Sequence, residues 1–275
     1  KDAALVFKGI KIANRLKDEQ LKAELFALYA ELFPRTSNYT LYNLKAIALQ
    51  NKIGVAHFVF VANRYYNVAY GLYLNEDYRQ SVNYALTGLS LENGDISSFN
   101  QKLYVLLNDV VASCYFRLDL IDSAKFHYQK IADTLRKKPL ANQNEQQLWL
   151  AIARGGIGRA AFLQGNDRSA IPMIEDYLKT SALLKAEDNA ASAANLLGDI
   201  YLKQKSYEMA LQAYRRAFAY AIKTNALREK TWSAKGLAAV FRIIKPTDSA
   251  FAYFHLYHSY RDSLIENSNR GKLAA

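Results

Sequence analysis

Cysteine is nearly absent from this sequence, with Cys114 alone among 275 residues, so no internal disulfide and no cysteine-based zinc cluster can form. Cys114 adjoins Tyr115 on an apolar helical face, which points to an inert core thiol. Proline and glycine are scarce too, at four and 12, too few to punctuate the many tight turns of an all-β fold. Long apolar runs are missing: the longest near-apolar stretch, 54–62, is about half of what a membrane span needs, and the N-terminus does not read as a signal peptide. No Gly-x4-Gly-Lys-Ser/Thr sequence occurs. Nor does any serine or Cys114 pair with a histidine and an acid at a recognisable spacing, and His57 and His127 stand alone. His255 and His258 share a helical face, but Tyr257 and Tyr260 interleave and no carboxylate or cysteine matches them, so aromatic packing is expected there rather than a metal. The reading is of a protein that is not an enzyme and needs no cofactor.

What is present is hydrophobic content of 51% and 20 tyrosines, ample for a core and for an all-α chain of one large or two ordinary domains. The net charge of +11 is uneven: residues 201–275 hold 13 Lys and Arg against 5 Asp and Glu. A basic end of this kind would attract nucleic acid, anionic lipid or an acidic partner, although a solvated face of surface helices accounts for it more simply. The chain opens on Lys1-Asp2 and its first apolar residues already read as mid-repeat, so a fragment or processed form is expected.

Between Ala194 and Ala217 small and large residues recur in a helix-turn-helix pattern. Ala194, Leu197, Gly198 and Tyr201 share one face; Tyr207, Ala210, Tyr214 and Ala217 share another. Gly198 and Ala210 lack bulk, so two helices can approach closely there while Tyr201 and Tyr214 fill the flanking space. The stretch resembles the tetratricopeptide repeat, whose W-x2-L-G-x2-Y…A-x3-F…P pattern is matched at Leu197, Gly198, Tyr201, Ala210 and Tyr214, with Ala194 for the tryptophan and Ile222 for the proline.

Aligned on the small contact residue, the repeats fall at Ala3, Ser81, Ala124, Ala170, Ala210 and Ala250, the later spacings being 43, 46, 40 and 40. The first gap of 78 hides a degenerate unit at about 20–53. Helices are expected at 2–16, 20–33, 39–52, 55–74, 78–91, 101–118, 122–136, 148–164, 168–184, 188–224 as a pair, 227–244 and 248–265, with turns at Lys17-Asp18-Glu19, Pro34 to Asn38, Asn75-Glu76-Asp77, Asn93-Gly94-Asp95 and Gly165-Asn166-Asp167. Trp232 and Gly236 match in the last unit, though Ala250 lies 14 residues after Gly236 instead of 12, an insertion near Pro246. Gly156-Ile157-Gly158-Arg159-Ala160-Ala161 imitates a dinucleotide loop, but Gly158 falls at the repeat glycine inside a helix, where its N–H is already bonded. The resemblance implies a single right-handed α-solenoid over 1–265 with about 13 helices and a period of about 40, followed by a polar tail at 266–275 that frays or continues as a truncated linker helix.

The family places its ligands on the concave surface lined by the first helix of each pair. Carried over unit by unit, those positions are Asn63, Tyr66, Tyr70 and Tyr73; then Asp109, Ser113, Phe116 and Arg117; then Arg159 and Phe162; then Asn195, Asp199 and Lys203. Aromatic rings with interspersed amides and arginines suit an extended peptide. The Lys-x3-Asn pair by which some family members hold chaperone tails falls in no first helix here; Lys138 and Asn142 sit in a loop with Pro139. Asp248-Ser249-Ala250 with Tyr260-Arg261-Asp262-Ser263-Leu264, and Asp122-Ser123-Ala124 before them, resemble the repeats of sensor regions in Bacteroidetes-type regulators. That resemblance implies an extracytoplasmic sensor module of a larger membrane-anchored regulator, whose membrane contact is made by segments outside this stretch; the alternative is a cytoplasmic, free-standing adaptor. The partners expected are a protein or peptide segment and, through exposed end helices, a second copy; nucleic acid is disfavoured.

Overall fold

The computed structural model describes residues 3–33, 37–58, 60–92, 100–244 and 248–273, and among them every regular element is helical. In order these are α1 (Ala3–Leu16), α2 (Glu19–Ala30), α3 (Ser37–Ile53), a 3-10 turn at Val55–His57, α4 (Val61–Leu74), α5 (Tyr78–Glu92), α6 (Gln101–Arg117), α7 (Ile121–Lys137), α8 (Gln143–Leu163), α9 (Asp167–Leu183), α10 (Glu187–Lys203), α11 (Tyr207–Thr224), α12 (Leu227–Ile244) and α13 (Asp248–Leu273). No described helix is long and apolar enough to cross a membrane.

Seven of these helices stop by one device. After α1, α4, α6, α8, α9, α10 and α11 a residue takes a left-handed backbone: Lys17, Glu76, Asp119, Gly165, Lys185, Lys205 and Asn225. The next N–H then bonds back to a carbonyl five residues earlier, as Asp18 does to Ala13 and Ser206 to Tyr201, both within 3.0 Å. Only one of the seven is glycine, which is how so glycine-poor a chain turns so often. The residue just past the turn starts the next helix in several cases: Asp18 accepts from the Leu21 N–H, Asp77 from that of Gln80 and Asn166 from that of Ser169.

The chain groups into two units, one of Lys1–Leu120 together with Asn267–Ala275, the other of Ile121–Glu266. In the first, consecutive helices pack in series from α1 to α6 and α4 also meets α6; in the second, α7 through α12 pack in series while α10 also meets α8 and α12. The expected register is visible in burial at Ser81, Ala124, Ala170 and Ala210, all fully buried at the helix contacts, whereas Ala3 and Ala250 at the two ends are only half-buried. In the second unit Tyr214 is the anchor. It is 1% exposed, and a Cβ placed on either Gly198 or Gly236 would run into its ring, at 2.6 Å in the first case. In the first unit the equivalent positions are occupied by Ala69 and Ala112, and the Ser81 hydroxyl donates to the Ala69 carbonyl at 2.6 Å.

Three expectations need correction. The continuous helix expected from Val55 to Leu74 is interrupted: Gly54 has φ +108°, its N–H closes α3 on the Gln50 carbonyl, and α4 begins only at Val61. Helix α8 starts at Gln143 rather than Leu148 because Asn142 caps it, accepting from the Glu145 N–H. Helix α13 does not end at Ile265 but continues through the polar segment to Leu273. The turns expected at Pro34, at Asn93-Gly94-Asp95 and near Pro246 lie outside the described residues.

Candidate functional site

Helix α4 supplies the most organised surface of the first unit. Tyr66, Tyr70 and Tyr73 follow one another at four- and three-residue steps, the spacing that brings side chains onto one helical face. Their rings form a stack, Tyr66 to Tyr70 at 5.9 Å and 16°, then Tyr70 to Tyr73 at 6.4 Å and 29°, and Tyr78 at the start of α5 continues it at 5.9 Å. All four residues are half-buried. Asn63 sits half-buried one turn before them. Beside the ladder Asn67 donates to the Asn43 side chain at 3.3 Å, and Asn43 in turn donates to the Tyr39 carbonyl, so α3 and α4 are tied together.

Electrostatics marks Tyr39, Tyr66 and Tyr70 as one group. Burial pushes the Tyr66 hydroxyl well above the usual phenol range, with Tyr70 and the Asp109 carboxylate of α6 adding to the effect. Tyr39 is raised to about 12, first by burial, then by Glu31 and Tyr70. Both hydroxyls therefore stay protonated at neutral pH and can donate to a main-chain carbonyl or carboxylate. Ser113 lies half-buried on α6 and Arg117 is exposed at its end, whereas Phe116 is only 7% exposed and serves packing.

In the second unit the first helices α8, α10 and α12 build a different arrangement. The Asp199 carboxylate accepts from the Tyr214 hydroxyl at 2.6 Å and from the Trp232 indole N–H at 3.0 Å. Burial raises its pKa, opposed by those two bonds and by Arg159 and Lys235. The Arg159 guanidinium lies 6.0 Å from the Trp232 ring centre, and the Lys203 ammonium 4.9 Å from that of Phe162 while also pairing with Asp167 at 3.3 Å. Asn195 is not presented to solvent: fully buried, it donates to the Glu229 carbonyl and meets the Ser233 hydroxyl at 2.9 Å, fastening α10 to α12.

Of the positions singled out from the sequence, the structure thus joins Tyr66, Tyr70 and Tyr73 with Asp109, separately joins Arg159 with Asp199 and Phe162 with Lys203, and places Asn195 and Phe116 inside. Sequence reasoning missed Tyr39, which enters from a second helix where the family rule does not look, and Trp232 as a ligand of Asp199, although it had been placed at the repeat's tryptophan. His255 and His258 pack edge-on against Phe251 and Phe254, each at 4.3 Å. Cys114 is buried and donates to Ser81 at 3.2 Å. Much of the basic charge of 201–275 is engaged: Lys223 pairs with Glu187, Arg215 lies over Phe241, Arg216 over Tyr220 and Lys230 over Tyr260.

No family model matches the chain, and no curated protein matches it by sequence. Solved structures do match in fold. The apo form of RapI is similar over 98% of this chain and 98% of its own, with TM-score 0.60 and 15% identity. Aspartyl phosphate phosphatase F from Bacillus subtilis is similar over 96% of this chain and 72% of its own, with TM-score 0.59 and 15% identity. The Rap conjugation gene regulator of plasmid pLS20, solved with the Phr* peptide, is similar over 92% and 73%, with TM-score 0.60 and 12% identity. At such identities the likeness is one of fold, and the fold is that of tetratricopeptide-like helical repeats.

Proposed function

We propose that this chain is a non-catalytic module that binds a peptide or an extended protein segment along its first helices, as the sensory or scaffolding region of a larger signalling regulator. The observation that carries the reading is the half-buried tyrosine ladder of α4, flanked by Tyr39 and Asp109. Stacked rings offer apolar area that is already ordered, so little side-chain freedom is lost when a peptide lies on them. Two proteins of similar fold were solved with peptides, the pLS20 regulator with Phr* and a Rap protein with competence and sporulation factor, the latter similar at TM-score 0.54 over 90% of this chain. Two reactive side chains are engaged within the fold: Cys114 in the core and Asp199 between Tyr214 and Trp232. The likeness of the last repeats to Bacteroidetes-type sensor regions supports an extracytoplasmic place in a membrane-anchored regulator.

A random peptide display library panned on the full chain tests the binding. Enriched peptides should slow amide exchange in α3, α4 and α6, and the double variant Tyr66→Leu/Tyr70→Leu should weaken them about tenfold or more, as loss of central aromatic anchors does. Protection elsewhere with unaltered affinity in the double variant would overturn the assignment. For the setting, an immunoblot of fractionated source cells should show a membrane-bound band well above 31.1 kDa; a soluble band near that mass would contradict it.

A further inference from the structure

Helix α1 is apolar on two sides, and only one of them is packed. Ile10 and Ala13 are buried where α1 meets α2. On another side Leu5, Ile12 and Leu16 are 68%, 53% and 69% exposed. Seven and then four residues apart, they form a single stripe about 16 Å long. Exposed Lys8 and Arg15 run alongside it, three or four residues from Leu5 and Ile12, and exposed Lys11 lies beyond them. The charge of α1 is unmixed: from Ala3 to Lys17 the charged residues are Lys8, Lys11, Arg15 and Lys17, four bases and no acid. Lys1 and Asp2 before it lie outside the described residues. Lys22 of α2 adds a fifth base, donating to the Asn14 side chain of α1 at 2.8 Å. The acids that follow α1 are engaged in α2: Asp18 accepts the Leu21 N–H, Glu19 pairs with Lys52 at 2.7 Å, Glu24 pairs with Arg64 at 2.6 Å, and Glu31 is the C-terminal cap.

Leu5, Ile12 and Leu16 stand more than half in water, so they make a ridge and not a groove. A partner protein needs a matching hollow to take such a ridge, whereas the interface of a bilayer admits it without one. Apolar side chains enter the acyl boundary there, and long cationic ones beside them keep their heads at the phosphates. We propose that α1 docks on an anionic lipid surface, with Leu5, Ile12 and Leu16 entering the headgroup region and Lys8, Lys11 and Arg15 meeting lipid phosphates. The charge of the helix complements that surface, and its stripe supplies what charge alone does not. This contact is independent of the peptide-binding reading, and it lies within this chain.

The test is flotation of the full chain with vesicles of phosphatidylcholine alone and of phosphatidylcholine with phosphatidylglycerol, at roughly 50 mM and 300 mM NaCl, where the screening length differs about twofold. At the lower salt the mixed vesicles should bind about tenfold or more tightly than the neutral ones, and most of that preference should vanish at the higher. Lys8→Gln/Lys11→Gln/Arg15→Gln should abolish the preference. Leu5→Ser/Leu16→Ser alters two positions whose exposure leaves the fold intact, and it should weaken retention on mixed vesicles by about tenfold or more, the scale of two leucines leaving an apolar surrounding. Equal retention on both vesicles, or none on either, overturns the inference. A loss confined to the lysine and arginine variant also overturns it, since that is diffuse attraction of a chain carrying +11. So does a glutamate-rich peptide that binds through these residues while vesicles do not, which would make the partner an acidic protein.

Discussion

The two units use their aromatic residues in opposite ways. In the first, Tyr66, Tyr70, Tyr73 and Tyr78 stack on one another and are half-buried. In the second, Tyr214 is sunk between Gly198 and Gly236, and its hydroxyl is bonded, with the Trp232 indole, to one carboxylate, Asp199. The charge differs likewise, residues 1–120 holding 13 basic against 11 acidic residues and the rest 23 against 14. The same repeat register therefore yields a knot where glycine lets a ring inside and an exposed shelf where alanine occupies the contact and the rings are left on the surface.

That contrast can be broken most forcefully at Tyr214. Its replacement by alanine should cost about 3–5 kcal/mol in urea unfolding, as deletion of a buried ring does, whereas Tyr70→Ala should cost about 1 kcal/mol. Equal costs would mean that the ladder is core after all. Next comes Glu24→Gln, which strands the buried Arg64, one of whose terminal nitrogens already lacks a partner. A loss of about 1–3 kcal/mol is expected, with Glu24→Gln/Arg64→Met recovering most of it; Glu24 is half in solvent, so a full buried-pair cost is not expected. A smaller, pH-dependent effect belongs to the second unit. Burial, and then Lys130, lowers His127 from 6.5 to about 4, so the unfolded chain takes up its proton first and stability should fall as pH drops from 6.5 towards 4. His127→Gln should flatten that slope in denaturation curves recorded at stepped pH. Least of all, Lys203→Met should change stability by no more than about 0.5 kcal/mol, since its pair with Asp167 is exposed.

The repeat register was legible because a helix contact tolerates only small residues, and Ser81, Ala124, Ala170 and Ala210 declare it without regard to surface chemistry. The break before α4 was not, since Gly54 to Phe60 is near-apolar and permits a helix, whereas the extended backbone of Phe58 ends the short 3-10 turn and α4 starts only at Val61. The turn at Lys17 and the helix end before Lys185 were legible, but not the left-handed backbone by which Lys17, Lys185 and Lys205 make their turns, because a left-handed lysine carries no composition signal of the kind glycine does. At the candidate site, stepping along α4 was enough to find Tyr66, Tyr70 and Tyr73. Asn195 passed the same rule yet is covered, because α12 places Ser233 and the Glu229 carbonyl over it, and a single-helix periodicity does not see what a neighbouring helix covers.

The seven left-handed stops bear on how the chain comes into being. Each is closed by a bond spanning five residues, and within α1–α6 and within α7–α12 the helices pack chiefly on their neighbours in sequence, so these hairpins do not wait for a distant segment. A pair such as α10 and α11 can close soon after its second helix leaves the ribosome, and the next can add to it. Synthesis and folding then advance together along the polypeptide, one turn at a time.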